Sequence, residues 1–289
     1  MNTVSSGRLR EIPVGEVTSA VKRLCISANC NVPRETIAAL ESAADTEESP
    51  VGREILEQIL ENHRIAREEG VPACQDTGVA MVFLELGQDV HLVGGDLYEA
   101  INEGVRQGYT EGYLRKSLVN DPLFKRVNTG DNTPAMIYVD IVPGEDLKIT
   151  VAPKGGGAEN MSGLAMLAPA VGVDGVKQFV VDQVRKAGSN PCPPIIVGVG
   201  IGGTFDRVAL LAKKALLRPA GSRNPDPMYA ELEKELLAEV NKLGIGPQGF
   251  GGRTTALAVN IETAPCHIAS LPVAVNINCH VGPHETVVL

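Results

Sequence analysis

Apolar residues recur at helical spacing through the first seventy positions, then give way to shorter runs with the spacing of strands. Val14 to Ala28 carries one such helical stripe, and Pro33 fits the first turn of a second helix running to about Asp45. From Val51 to Glu69, the residues Ile55, Leu56, Ile59, Leu60 and Ile65 fall on one side, and Gly70 is placed to stop the helix. His63 lies in that helix and reads as a partly exposed structural histidine. Next, Val79 to Leu86 is an apolar run broken only by Glu85, as expected of a buried strand near 78–87. A helix is predicted from about Asp96 to Arg115, followed by a turn-rich loop, Asn128-Thr129-Gly130-Asp131-Asn132. Met136 to Val142 and Leu147 to Ala152 alternate around Pro143-Gly144-Glu145-Asp146 and predict a hairpin. Helices are predicted over Val176 to Lys186, Thr204 to Leu217 with Thr204 as N-cap, and Pro227 to Leu243, with a strand over Ile195 to Gly200. A glycine-rich loop, Gly244 to Gly252, leads to apolar runs at Thr255 to Ile261 and Leu271 to Ile277. No repeat, low-complexity segment or linker interrupts this order. It predicts an α/β fold: a helical N-terminal part followed by layered mixed β-sheets with flanking helices. We expect one domain over 1–289, with a helical segment at 1–70 and an α/β part at 71–289 that carries the chemistry.

Composition narrows the classes. The chain has 289 residues, 44% of them hydrophobic, so it can bury a substantial core. Aromatic residues make up 3% and Trp is absent, which argues against base-stacking platforms for single-stranded nucleic acid. A net charge of -9 argues against a general phosphate-backbone binder. An acidic substrate would need a local cluster of Arg, Lys and backbone N–H groups. The start, Met1-Asn2-Thr3-Val4-Ser5-Ser6, is polar, so no signal peptide is expected. No apolar run approaches a membrane span. Both readings predict a cytoplasmic protein, with neither nucleic acid nor membrane as partner. Six Cys are too few for a disulfide scaffold, and in a reducing compartment they stay free or bind metal.

The chemistry-bearing candidates sit in loops. Ala73-Cys74-Gln75-Asp76-Thr77-Gly78 places a thiol, an amide and a carboxylate between a helix and a buried strand. Read alone, Cys74 is as well explained as a small buried hydrophobe and Asp76 as a turn former. Cys192 is held in Asn190-Pro191-Cys192-Pro193-Pro194 before a strand, either as a rigid ligand or as a filler in a capped loop. Cys279 ends a strand in Asn276-Ile277-Asn278-Cys279-His280, and Cys266 precedes His267. Cys25 and Cys30 read as packing residues. No pair has CxxC spacing, which excludes a zinc ribbon and a bacterial ferredoxin motif. Gly198-Val199-Gly200-Ile201-Gly202-Gly203 formally matches G-x-G-x-x-G, so a dinucleotide-binding module is an alternative. The required strand with a terminal acid about twenty residues on is missing, however. What remains is a helix N-terminus behind glycines, a place for a substrate carboxylate. Gly155-Gly156-Gly157 offers a second close backbone approach.

Taken in order, these segments resemble the α subunit of the class I, iron–sulfur-dependent fumarate hydratases, a family that also contains the L-tartrate dehydratase α subunit. The matching pieces are 73–78, Leu114-Arg115-Lys116, Lys154 to Asn160, Asn190 to Pro194 with Ile201-Gly202-Gly203-Thr204, Gly246-Pro247-Gln248-Gly249 with Gly251-Gly252, and Pro265-Cys266-His267 leading to Leu271-Pro272-Val273 and Cys279. The resemblance implies a 4Fe–4S cluster on Cys74, Cys192 and Cys279, with one iron left open to substrate. It implies substrate contacts at Gln75, Asp76, Arg115, Gly156 and His267, with Asp76 and His267 as the catalytic candidates. Single-chain members carry a second domain that completes the pocket. The resemblance therefore implies a β subunit as partner, a small dicarboxylate substrate, and an α–α dimer within a heterotetramer. The expected reaction is reversible hydration of fumarate to malate, as in the tricarboxylic acid cycle, with L-tartrate dehydration as the runner-up.

Overall fold

The computed structural model describes residues 9–289. The polar start Met1 to Ser6, on which the absence of a signal peptide was expected, lies outside the described residues. In chain order the elements are β1 (Arg10–Pro13), α1 (Val14–Cys30), α2 (Arg34–Thr46), α3 (Pro50–Glu69), β2 (Val79–Gly87), β3 (Val90–Val93), α4 (Leu97–Glu111), β4 (Met136–Val142) and β5 (Leu147–Lys154). There follow α5 (Gly156–Glu159), β6 (Gly163–Leu167), α6 (Gly172–Ala187), β7 (Ile195–Gly202), α7 (Phe205–Ala215), α8 (Pro227–Asn241), β8 (Ala256–Ala264), β9 (Leu271–Asn278) and β10 (Glu285–Val288). The chain is a mixed α/β protein whose helical first part leads into mixed sheets. Its contacts gather into two units. One comprises Met1–Asn31, Ala66–Lys154 and Pro283–Leu289; the other comprises Val32–Ile65 and Gly155–Gly282.

In the first unit the sheet order is β10-β5-β2-β4. β2 is buried on both faces from Ala80 to Leu84 and lies inside the sheet, parallel to β4 and antiparallel to β5. The predicted hairpin of 136–142 with 147–152 is therefore not formed: β2 is inserted between its two strands. The Pro143–Asp146 turn passes over the end of β2 instead. Gly87 donates to the Asp146 carbonyl at 2.9 Å and Asp89 to that of Gly144 at 3.0 Å. A Cβ at Gly87 would lie 2.7 Å from the Asp146 oxygen, so glycine makes this crossing possible. α1 buries Val17, Ala20, Val21, Leu24 and Cys25 against α4 and the sheet. α4 starts at Asp96, whose carboxylate accepts the Glu99 N–H at 2.9 Å.

In the second unit the sheet order is β6-β9-β7-β8, with β7 antiparallel to β9 and parallel to β8. Gly198 and Gly200 lie in β7 directly under α7: a Cβ at either would strike the Ala212 or Val208 carbonyl. These two glycines of the G-x-G-x-x-G match seat a helix on a strand. Thr204 is at the N-cap position of α7 as predicted, but its hydroxyl turns to the Asp206 carboxylate at 2.6 Å rather than to the backbone.

Glu47, at the end of α2, is buried and organises the glycine-rich loop of the same unit. Its carboxylate accepts the N–H groups of Arg253 at 2.8 Å, Thr254 at 2.9 Å and Ser49 at 3.1 Å. Burial alone would push this carboxyl up, but the three backbone donors and the Thr254 hydroxyl pull it below its ordinary value. Glu47→Gln, with one N–H₂ turned toward these donors, should cost about 1–3 kcal/mol in denaturant melts at pH 7. A folded value below the unfolded one stabilises above the ordinary carboxylate range and loses that contribution as pH falls through the folded value. The gap between wild type and variant should therefore shrink on acidification.

Candidate active site

In the first unit the Cys74 loop leaves α3 and enters β2. Cys74 and Gln75 are exposed, Asp76 is half-buried, and Thr77 and Gly78 are buried. Four contacts fix this presentation. Ala73 donates to the Asn29 carbonyl at the end of α1, at 2.9 Å. The Asp76 N–H approaches the Cys74 Sγ at 3.4 Å, and Asp76 Oδ1 accepts the Gly78 N–H at 3.1 Å. Buried Tyr109 of α4 donates its hydroxyl to the Thr77 carbonyl at 2.7 Å. Gly78 adopts φ +68, and a Cβ there would lie 2.6 Å from the Lys154 oxygen.

The second predicted segment comes to the same place. The Thr77 hydroxyl donates to the Arg115 carbonyl at 3.1 Å. Asn132, fully buried, donates to the Gly78 carbonyl at 3.1 Å and accepts the Ser117 N–H at 2.7 Å. Arg115 is exposed, and its guanidinium enters no ion pair among the described residues. The first unit thus gathers Cys74, Gln75, Asp76 and Arg115. Tyr109 and Asn132 are positioning residues that were not singled out from the sequence. Asn132 had a signal, since it closes the turn-rich loop at φ +63, where Asn is tolerated.

In the second unit register does the gathering. Ile196 pairs with Asn278, so Cys192 just before β7 and Cys279 just after β9 lie at the same end of the sheet. Cys192 is exposed, has φ +55, and donates its N–H to the Ser189 carbonyl at 3.0 Å. Gln248 closes the 246–249 loop over it, its backbone N–H reaching the Pro193 carbonyl at 2.8 Å. The Gly155–Gly157 segment arrives here too: a Cβ on Gly157 would lie 3.6 Å from the Asn190 carbonyl. Glu159 of α5 ties it to β9 by accepting from Asn276 at 2.7 Å.

Behind Cys279 stands an imidazole pair. His63 Nε2 lies 3.2 Å from His280 Nδ1, with ring centroids 5.2 Å apart. His63 is 4% exposed, not partly exposed as predicted, because it continues the buried stripe of Leu56, Ile59 and Ala66. Burial holds its pKa down to about 4; burial, and then His63, hold that of His280 to about 3. Both rings are neutral near pH 7.

Two predicted features are not brought to this end. Cys266 and His267 follow β8, whose last residue Ala264 pairs with Gly202 at the far end of β7. Along β7 that is about 20 Å from the Cys192 end at ~3.3 Å per residue. The Gly203 N–H, expected to be free for a carboxylate, is taken by the Pro265 carbonyl at 3.2 Å.

The donor set suits a soft metal centre. None of the six cysteines is joined in a disulfide. Cys25 and Cys30 are buried in helix packing, and burial pushes the Cys25 thiol up to about 12 and raises that of Cys30. Cys74, Cys192 and Cys279 are exposed or half-buried loop thiols. Among the described residues no group of three or more His, Cys, Asp or Glu is gathered tightly enough to hold a single metal ion. No helix among them is long and apolar enough to cross a membrane.

Comparison with known proteins identifies the family. Over 269 residues the chain is 45% identical to a Methanocaldococcus jannaschii protein provisionally named L(+)-tartrate dehydratase subunit alpha, covering 91% of this chain and 94% of that one. It is 36% identical to the L(+)-tartrate dehydratase subunit alpha of Escherichia coli strain K12, covering 92% of this chain and 88% of that protein. The family model described as fumarate hydratase (Fumerase) matches residues 18–288. The chain therefore belongs to the fumarate hydratase (Fumerase) family.

Proposed function

We propose that this chain is the cluster-bearing α subunit of a two-subunit hydro-lyase that dehydrates L-tartrate to oxaloacetate. The observation that carries the substrate is the naming of the relatives: the one 36% identical over more than nine-tenths of the chain is named L(+)-tartrate dehydratase subunit alpha, and the one 45% identical bears the same name provisionally. This reverses the order expected from the sequence, which put fumarate first on metabolic grounds and not on any residue. Reversible fumarate hydration is the second reading, favoured by the description of the family model. The α-subunit naming of the relatives also supports a β partner, and we place the assembly in the cytoplasm as a heterotetramer built on an α–α pair.

The chemistry asks for three things: a clamp for a carboxylate, a group to move the proton on carbon, and a Lewis acid for the departing hydroxide. Arg115, exposed and in no ion pair among the described residues, suits a bidentate carboxylate. Gln75 and the backbone at Gly156 add polar contacts. Asp76 is the acid/base group; its Oδ1 bond to Gly78 N–H keeps the carboxylate aimed. Cys74, Cys192 and Cys279 would hold a 4Fe–4S cluster, which when bound supplies Lewis acidity at an open iron. We assign His267 no step, because it stands at the other end of the sheet in its unit.

The test is turnover by the complex with its β subunit, without oxygen, given L-tartrate, malate and fumarate separately. L-Tartrate should be consumed and oxaloacetate released. Turnover of malate or fumarate with none of L-tartrate would establish the second reading, and a chain that binds neither iron nor sulfide would overturn both. Arg115→Ala should cost about 2–5 kcal/mol in transition-state binding, the loss expected on truncating one partner of a desolvated charge pair. Steady-state kcat/KM on the assembled enzyme measures it; an unchanged value would remove Arg115 from the clamp.

A further inference from the structure

We propose that His63 is a positioning residue for the Cys279 ligand turn: it fixes the ring of His280 with its proton on Nε2. This rests on the proposed function in that Cys279 is taken as a ligand; the hydrogen-bond argument does not. His63 and His280 share one close nitrogen pair, His63 Nε2 and His280 Nδ1, at 3.2 Å, so one of these atoms donates to the other. The remaining nitrogen of His63, Nδ1, is buried and meets no hydrogen-bond partner. Nδ1 goes without a partner in either tautomer, and an orphaned buried N–H is the arrangement native interiors avoid more strictly than an unused acceptor. The proton of His63 therefore sits on Nε2 and is donated to His280. His280 Nδ1 is then an acceptor, and its own proton is on Nε2.

The consequence falls on the preceding residue, Cys279. Cys279 and His280 are adjacent, and the turn they form is closed by the Gly282 N–H on the Cys279 carbonyl at 3.1 Å. Inside the same unit, α3 thus reaches the end of β9 and holds the turn from behind through one side-chain bond. Fixing the tautomer also fixes the ring of the residue that follows the ligand. Groups that hold a ligand from behind orient it and tune the centre it binds.

The experiment compares wild type with His63→Leu, which removes the donor, and His63→Gln, whose amide can restore one. The proteins are purified, checked for folding by thermal melts, and their clusters rebuilt without oxygen. NMR of the imidazole nitrogens in the chain before reconstitution should show His280 protonated on Nε2 in wild type and a mixture of tautomers in His63→Leu. Iron release to a chelator should be about ten- to a hundredfold faster in His63→Leu, with recovery toward wild type in His63→Gln. A His280 protonated on Nδ1 in wild type overturns the inference. So does a folded His63→Leu that keeps its iron as long as wild type. Wild type that takes up no iron and sulfide overturns the cluster reading and this inference with it, while the tautomer result still separates the two failures.

Discussion

Cys279→Ser is expected to abolish cluster retention and hydro-lyase turnover, while Cys266→Ser leaves both near wild type. The two thiols are thirteen residues apart in the sequence, and both lie beside a histidine, so local pattern cannot rank them. Register can. Asn278 pairs with Ile196, which puts Cys279 at the Cys192 end of the second unit's sheet. Cys266 follows a strand that ends against Gly202, and its thiol is turned to the Ser270 carbonyl at 3.3 Å. A hydroxyl in place of a thiolate loses the soft ligand that iron prefers. The iron and sulfide content of each variant, rebuilt side by side, is the measurement. Activity should fall by at least about three orders of magnitude in Cys279→Ser, equivalent to ~4 kcal/mol in the barrier. A brown, active Cys279→Ser beside a colourless Cys266→Ser would exchange the two assignments.

The same distinction explains what was legible in the sequence. Periodicity reports burial, and it located α1, α3, α4, α6, β2 and β7 within a few residues. It does not report partners. The segments 136–142 and 147–154 each have a strand pattern and a turn between them, yet they take β2 as common neighbour because Gly87 lets the turn cross. Short strands such as β1, β6 and β10 were not read at all; each exists through the longer or distant strand it pairs with. His63 could have been found, since it keeps the spacing of Leu56, Ile59 and Ala66; its polar neighbours Asn62 and Arg64 concealed it.

For the candidate site the balance is similar. Each motif was visible as a loop with too many special residues for a mere connection. Their grouping was not visible, because Thr77 reaches Arg115 across thirty-eight positions and Cys192 meets the Cys279 end only through strand register. The glycines of 198–203 show how a motif can mislead. Gly198 and Gly200 satisfy a nucleotide pattern while serving the approach of α7 to β7.

Glu233→Ala should cost the fold about 3–5 kcal/mol, the penalty for breaking a buried, hydrogen-bonded ion pair by removing one side of it. β8 is an edge strand, and an edge offers unpaired N–H and C=O groups to other chains. Here side chains close that edge. Glu233 of α8, 6% exposed, accepts the Ile261 N–H at 2.8 Å and the Arg218 guanidinium at 2.5 Å. Arg218 and Asn224 in turn donate to the Ile261 carbonyl at 3.1 and 2.9 Å. Further along, Asn241 accepts from Thr255 and Ala256 and donates to the Ala256 carbonyl. Removing the Glu233 carboxylate leaves Arg218 only the longer ion pair to Glu262, at 3.9 Å, and strips the Ile261 N–H of its acceptor at once. Glu233→Gln keeps an acceptor for Ile261 and should lose less. Chemical denaturation at pH 7 measures both costs, and light scattering during refolding should show the alanine variant aggregating as the freed edge of β8 finds other copies. A loss below ~1 kcal/mol for the alanine variant would mean that the ion pair gains no more than it loses by desolvation, and that Arg218 and Asn224 close the edge without it.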